Sequence, residues 1–343
     1  VKNNQKLVLA LIPLIIGLVI AYTYYKRLYG SEIHLDGKEK AYLFIPTHSG
    51  LQDLKLNLLK SGFVQDTDHF DMAARFFHFG KQIKPGKYEI TDGMSYKKLF
   101  RKIQLGDQVP VSLVLHDLRL RENLASFVSH HIEADSASIM RLMNNDSLAS
   151  AMGFNHENFY TLFIPNTYSM NWNTSADQFF NRMELENHRF WTDVRKDQAA
   201  QHGLTPNQVM ILASIVNQES NKPSDMVLIA GVYLNRLRAG IRLEADPTVV
   251  FANQDFSIRR VTQKYLAKDS PYNTYKYSGL PPGPITMPSR QAIDAVLTSP
   301  PTDYMYFCAK DDFSGYHAFA VTEAEHKENA RKFHEAMNAR NIH

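Results

Sequence analysis

Three acids in the 343-residue sequence have a setting that could do chemistry: Glu219, Glu244 and Asp246. Glu219 closes the stretch 203–220, GLTPNQVMILASIVNQES. Leu212, Ile215 and Glu219 recur at spacings of three and four, which places them on one face of a helix that is otherwise apolar. An unpaired carboxylate on such a face is costly to ionise, and its cheapest response is a raised pKa that keeps it protonated near neutral pH. A carboxyl in that state is a general acid. Glu244 and Asp246 sit in RLEADPTVVFA, and each reads either as a second carboxylate or as an ordinary turn or surface acid. Metal chemistry is not expected. His130 and His131 are adjacent and leave a helix on different faces, and neither H-E-x-x-H nor C-x-x-C occurs. Nothing in the sequence calls for a cofactor.

The elements that must position these acids can be read from their boundaries. Thr205 is an N-cap, Pro206 suits the first helical position and Gln208 completes a capping box, so the Glu219 helix has a defined start. It is expected to run to Asn221, with Pro223 forcing a break and Ser224 capping the next helix, MVLIAGVYLNRLRAG. Ala230 and Gly231 in that helix are small enough for close packing on its predecessor. Asp246-Pro247 reads as a turn and 248–251 as a strand. The stretch 270–288, SPYNTYKYSGLPPGPITMP, is too rich in proline for a helix or central strand. It is either a braced aromatic groove for a ring-bearing ligand or a structural wrap over the core. Flanking these segments are an aromatic loop or strand at 159–168 and a long helix at 175–201. A helix capped by Ser289, a hairpin from 304–309 and 316–321, and a last helix boxed by Thr322 and Glu325 complete the chain. Upstream, a strand at 41–45 and a turn into a strand at 84–90 alternate with helices capped by Ser49, at 68–79 and capped by Ser95, a pattern expected of a small α+β module with a phenylalanine-rich core. A strand at 109–115 and helices at 121–130 and 136–143 follow.

Composition narrows the class. Charged residues at 21% and a formal charge of +3, with no basic block, give no footprint for nucleic acid. The single cysteine, Cys308, excludes an intrachain disulfide. Residues 7–25, LVLALIPLIIGLVIAYTYY, carry no charge and match the roughly 20 residues that cross a bilayer. Tyr22, Tyr24 and Tyr25 stand where an interfacial aromatic belt belongs. No small-residue cleavage site follows, so the segment reads as a retained anchor rather than a removed signal; the alternative is a buried core helix. Lys2 and Lys6 before it and Lys26 and Arg27 after it leave the orientation open.

Taken together and in order, ASIVNQES, AGVYLNRL, RLEADPTVV, SPYNTY and GLPPGPI resemble the bacterial endolytic murein transglycosylases, the YceG-like family. The chain end, YFCAKDDFSGYHAFAVTEAEHKEN, is similar to that family's final hairpin and helix, and KPGKYEITDGMSYKKLFRKIQLG to its LysM-like module. The sequence departs from the family pattern in two places. Asn217 stands where the first glutamate of A-S-I-[IV]-E-K-E often stands, and Asn166 replaces the aspartate of E-G-x-x-x-P-D-T-Y, whose Glu-Gly pair is absent. The resemblance implies an α+β fold divided into a cytoplasmic tail (1–6), a transmembrane anchor (7–25), a linker (26–40), a LysM-like module (41–107) and a catalytic domain (108–343). It implies Glu219 as catalytic acid/base, with Asn235, Asp246, Thr248, Asn273, Tyr275, Pro281 and Gly283 binding substrate. The substrate would be peptidoglycan glycan strands, cut between MurNAc and GlcNAc to leave 1,6-anhydroMurNAc ends. The anchor would hold the protein in the bacterial cytoplasmic membrane by a single pass, in contact with lipid, with the catalytic domain outside and cell-wall synthases as neighbours. Two rivals make different demands: a hydrolase using Asp246 as second carboxylate, and a non-catalytic glycan-binding scaffold.

Overall fold

The computed structural model describes residues 2–81 and 83–340, with side chains from residue 11 onward. Val1 of the expected tail, the side chains at 2–10 and the chain end at 341–343 lie outside the described residues. Two compact units emerge: one of Val1–Ser112, His131–Glu133 and Ser169–Ser175, the other of Leu113–His130, Ala134–Tyr168 and Ala176–His343. Helices and short strands mix in both, and the fold is α+β.

The first unit begins with α1 (Lys2–Tyr29), then β1 (Lys40–Ile45), α2 (Leu51–Lys60), α3 (Thr67–Phe76), β2 (Gly86–Thr91) and α4 (Tyr96–Leu105). Residues Leu11–Tyr29 of α1 are apolar enough to cross a membrane, and a mean hydropathy of 1.3 with only 6% of the window buried fits an anchor better than a core helix. The helix runs past the expected end at Tyr25, and Leu28 is built into the core of the unit. Strands β1 and β2 pair antiparallel from Lys40↔Thr91 to Ile45↔Gly86, so Leu43, Ile45, Tyr88 and Ile90 face inward. Phe70, Phe79, Tyr96 and Phe100 fill the space beneath, Phe79 and Phe100 stacked with ring centroids 4.0 Å apart. These aromatics are core, as the pattern suggested. Helix α4 starts on the Ser95 cap and stops at Gly106, whose φ of 73° is open to glycine at little cost.

The chain continues into the second unit with β3 (Val111–Leu115), α5 (Arg121–Ser129), α6 (Ser136–Met143), α7 (Asp146–Ala151), a 3₁₀ turn (Phe159–Leu162), β4 (Asn166–Met170), α8 (Ala176–Phe190), α9 (Asp193–Gln201), α10 (Pro206–Glu219) and α11 (Pro223–Arg238). Then come α12 (Asp246–Asn253), α13 (Gln263–Leu266), α14 (Arg290–Leu297), β5 (Tyr306–Ala309), β6 (His317–Ala320) and α15 (Glu323–Ala339). Its axis is α10, which opens on the expected Thr205–Gln208 capping box. Every residue from Val209 to Val216 is buried, so the helix is wrapped on all sides by α9, α11, α12 and α14 rather than on one stripe. Strands β5 and β6 pair antiparallel, Tyr306↔Ala320 to Ala309↔His317, giving the expected hairpin.

Several boundaries differ from expectation, each for a local reason. The expected helix 175–201 is two helices, because Thr192 caps α9 and its neighbour Trp191 turns into the core. Helix α10 ends at Glu219, with Ser220 already extended, and Lys222 rather than Ser224 occupies the cap of α11 because Pro223 takes the first helical position. The stretch 248–251 is part of α12, not a strand. Asp246 and Pro247 begin that helix, and burial of Thr248 and Val249 outweighs their β preference. Gly231 does not serve contact with α10. A Cβ there would meet Ser299 Oγ at 3.1 Å and Thr302 Oγ1 at 3.2 Å, so its smallness admits the 299–302 segment.

Candidate active site

Glu219 is the last residue of α10, half-buried at the floor of a cleft in the second unit. Ending the helix there aims the side chain past the terminus of α10 toward α11 and α12. Tyr233 of α11 donates its hydroxyl to Glu219 Oε1 at 2.6 Å. Burial pushes the Glu219 carboxyl up to about 7; the Tyr233 hydrogen bond opposes that shift and the negative charge of Asp246 adds to it. The same burial holds the Tyr233 phenol well above its ordinary value, so it stays a donor.

Asp246, the first residue of α12, accepts the Tyr275 hydroxyl at 2.6 Å. Burial, then that hydrogen bond, keeps the Tyr275 proton in place. Glu219 and Asp246 border two cavities. One, of about 280 Å³, is walled by Tyr233, Arg236, Glu244, Tyr275, Tyr306 and His326. The other, of about 310 Å³, is walled by Arg119, Gln218, Phe251, Phe256 and Arg259. A linear ligand passing from one cavity to the other would cross the two carboxyls. Glu244 lines the first cavity but is turned to Arg236, 3.1 Å away, whose guanidinium also donates to the carbonyls of Arg242, Leu243 and Met305. Burial, then Arg236, lowers the His326 pKa, favouring the neutral ring.

The expected site residues divide into those that face the cleft and those that hold it. Glu219, Asp246 and Tyr275 come together in the cleft wall. Thr248 is fully buried; its hydroxyl donates to Ala245 O at 2.6 Å and lies 2.8 Å from Thr274 Oγ1, which accepts from Ala245 N–H. Asn273 is fully buried too, donating to the carbonyls of Leu266 and Lys268 and accepting from Tyr275 N–H at 3.1 Å. These two side chains set the register of Asp246 against Tyr275 without reaching the cavity. Asn235 points away from both cavities and donates to the carbonyls of Thr302 and Tyr304, each at 2.8 Å. Pro281 and Gly283 lie buried in the proline-rich loop, outside both cavity walls. A Cβ on Gly283 would fall 2.2 Å from Glu157 O, so only glycine lets that loop lie flat. The loop is tied to α10 by Ser214 Oγ, which accepts from Ile285 N–H at 3.0 Å, and by Asn217 Oδ1, which accepts from Ser289 N–H at 3.0 Å. Asn217 therefore has a structural task. Asn166 is exposed at the start of β4.

Sequence reasoning missed Tyr233, Arg119 and Phe256. Tyr233 is inside AGVYLNRL, but no spacing rule relates residues on two helices joined by a proline break. Among the described residues, no group of three or more His, Cys, Asp or Glu could hold a metal ion.

Comparison with known proteins places this geometry among relatives. The model of the YceG-like family matches residues 43–332. A Bacillus subtilis (strain 168) protein named endolytic murein transglycosylase is 24% identical over 334 residues, covering 93% of this chain and 91% of that protein. A protein of the same name from Streptococcus pneumoniae serotype 2 (strain D39) is 25% identical over 345 residues, covering 90% of this chain, which spans 61% of the pneumococcal protein. The crystal structure of a yceG-like protein from Listeria monocytogenes superposes with a TM-score of 0.56 at 26% identity, covering 85% of this chain and 99% of that one.

Proposed function

The chain belongs to the YceG-like family, and on that premise we propose that it is a peptidoglycan lytic transglycosylase of the endolytic kind, with Glu219 as its acid and base. The observation that carries this reading is a carboxyl held near pKa 7 on the floor of a two-lobed cleft, within reach of one tyrosine and beside one aspartate. A glycan strand lying across both lobes would bring a MurNAc–GlcNAc linkage to Glu219. Its proton passes to the GlcNAc O4 as the C1–O4 bond breaks, and positive charge develops on the MurNAc ring. The C6 hydroxyl of the same ring then bonds to C1, and its proton returns to Glu219. The enzyme is restored and a 1,6-anhydro end is left without consumption of water. Asp246, oriented by Tyr275, is placed to stabilise the oxocarbenium-like charge.

Helix α1 supports a single-pass anchor, and the substrate lies outside the cytoplasmic membrane. The arrangement we propose therefore has the N-terminus inside, the chain after the anchor outside, and the cleft near newly made strands beside the synthases. Residues 41–107 of the first unit are proposed as the LysM-like module. Digestion of purified peptidoglycan by the full chain, followed by mass spectrometry, tests the reaction class. Anhydro ends are expected. Reducing ends would instead make Asp246 the base of a hydrolase, and binding without products would make the chain a scaffold.

A further inference from the structure

The two lobes of the cleft differ in charge, and the arginine-lined lobe has a feature that the proton transfer does not use. Arg119 is half-buried there. Its guanidinium donates to Gln218 Oε1 at 2.8 Å and lies 4.6 Å from the centroid of the Phe256 ring. Gln218 is the residue next to Glu219 on α10, so the guanidinium is pinned one residue from the acid. Two other arginines of this unit that are buried or half-buried are paired: Arg236 with Glu244 and three carbonyls, and Arg195 with Asp294. Arg119 has neither. Among the described residues no carboxylate lies within 4.0 Å of it, nor of Arg259, which lines the same lobe. A guanidinium carries five N–H donors in a fixed fork that matches a carboxylate. One amide acceptor leaves most of that fork unused, while stacking on Phe256 holds its plane.

We propose that Arg119, assisted by Arg259, forms a carboxylate-binding subsite that takes the acidic substituent of the sugar being cleaved. The inference rests on the transglycosylase reading above. In peptidoglycan the two alternating sugars differ by a 3-O-lactyl group on MurNAc, which carries the stem peptide. That group leaves the same ring whose C1–O4 bond Glu219 would protonate. A carboxylate on it, either the lactyl carboxylate of a peptide-free strand or one in the stem peptide, would reach a cation held beside the acid. The subsite would thus set the register of the strand, because only every second sugar bears the group. It would also discriminate against neutral chitin oligomers. Arg119 is a positioning residue in this account, since the reacting atoms belong to Glu219.

The test is binding by the full chain in the Glu219→Gln background, with and without Arg119→Ala, to three sets of strand fragments: peptide-bearing, peptide-free with the lactyl carboxylate exposed, and peptide-bearing with all carboxyls converted to methylamides. Loss of the guanidinium is expected to weaken binding of the peptide-bearing fragments about tenfold or more and to leave binding of the methylamides unchanged. A loss that persists on peptide-free fragments identifies the lactyl carboxylate as the ligand, and one confined to peptide-bearing fragments identifies the stem peptide; either supports the subsite. An equal loss on the methylamides, or no loss on any fragment, overturns it. Because the neutral fragments report on the cleft itself, general damage from Arg119→Ala is recognised as such, and Arg119→Lys should recover only part of the carboxylate-dependent binding. The transglycosylase reading fails separately, if wild type leaves no anhydro ends while carboxylate-dependent binding remains.

Discussion

A half-buried and a buried acid lie six residues apart in this chain and meet opposite fates. Asp225, in the first turn of α11, is 2% exposed, and His317 of β6 meets it with both its backbone N–H, at 3.1 Å, and its ring Nδ1, at 2.6 Å. Each of its two carboxylate oxygens is offered a donor, and the result is a clamp that fastens the β5–β6 hairpin to α11. Glu219 receives a single phenolic hydroxyl, has Asp246 rather than a cation nearby, and opens onto a cavity. The same residue class is structural where its charge is satisfied and reactive where it is not. The hairpin that Asp225 secures also supplies Tyr306 and Phe307 to the cavity wall, so the satisfied acid supports the setting of the unsatisfied one.

The comparison can be broken most severely at Asp225. Asp225→Ala leaves the His317 donors without an acceptor in the interior, and the chain is expected to lose about 3 kcal/mol or more of stability, read by denaturant unfolding. Glu219→Gln should do the reverse. The folded pKa of about 7 stands above the ordinary 4.5, so the native state binds the extra proton and burial of this acid costs stability as pH rises from 4.5 through 7. At pH 8 the Glu219→Gln chain is expected to exceed wild type by on the order of 3 kcal/mol, and the gap should close below pH 4.5. Equal melting curves at both pH values would contradict the raised pKa.

Smaller effects sharpen the contrast. Tyr275→Phe frees Asp246 from its orienting donor and should lower turnover about tenfold, with less change in KM than in kcat. The smallest effects are shifts of the pH profile. The rate should fall as pH rises through about 7, because in the proposed mechanism the acid form of Glu219 starts the reaction. Tyr233→Phe removes the hydrogen bond that lowers this pKa and should move the limb to higher pH, whereas Asp246→Asn removes a negative charge that raises it and should move the limb lower. Shifts of the same sign in both variants would exclude the electrostatic account.

What could be read in the sequence was local. The Thr205–Pro206–Gln208 start of α10, the Ser95 and Ser289 caps and the Thr322–Glu325 box each depend on residues within one turn, and all are present in the structure. Glu219 was legible for the same reason, since an acid ending an apolar run needs no partner to be conspicuous. Residues 248–251 misled because four β-branched or apolar side chains in a row state only that the segment is buried. The distinction among Asn235, Thr248, Asn273 and Tyr275 was out of reach. A polar side chain in a motif serves equally well as a backbone clasp or as a wall of the cleft, and only its long-range partners tell which. Asn273 and Thr248 are clasps and Tyr275 faces the cavity, though Asn273 and Tyr275 are two residues apart. Tyr233 reaches Glu219 across 14 residues of chain and Arg119 reaches the neighbouring Gln218 across 99, through packing that no periodicity records.

The central claim is that one carboxyl does the work of acid and base. It is tested most directly by incubating purified peptidoglycan with the full wild-type chain and with Glu219→Gln at pH 6, and counting 1,6-anhydro ends by mass spectrometry while a melting curve records that both are folded. The account predicts anhydro ends from wild type and a loss of about a thousandfold or more in the variant. Undiminished release of anhydro ends by folded Glu219→Gln would contradict it.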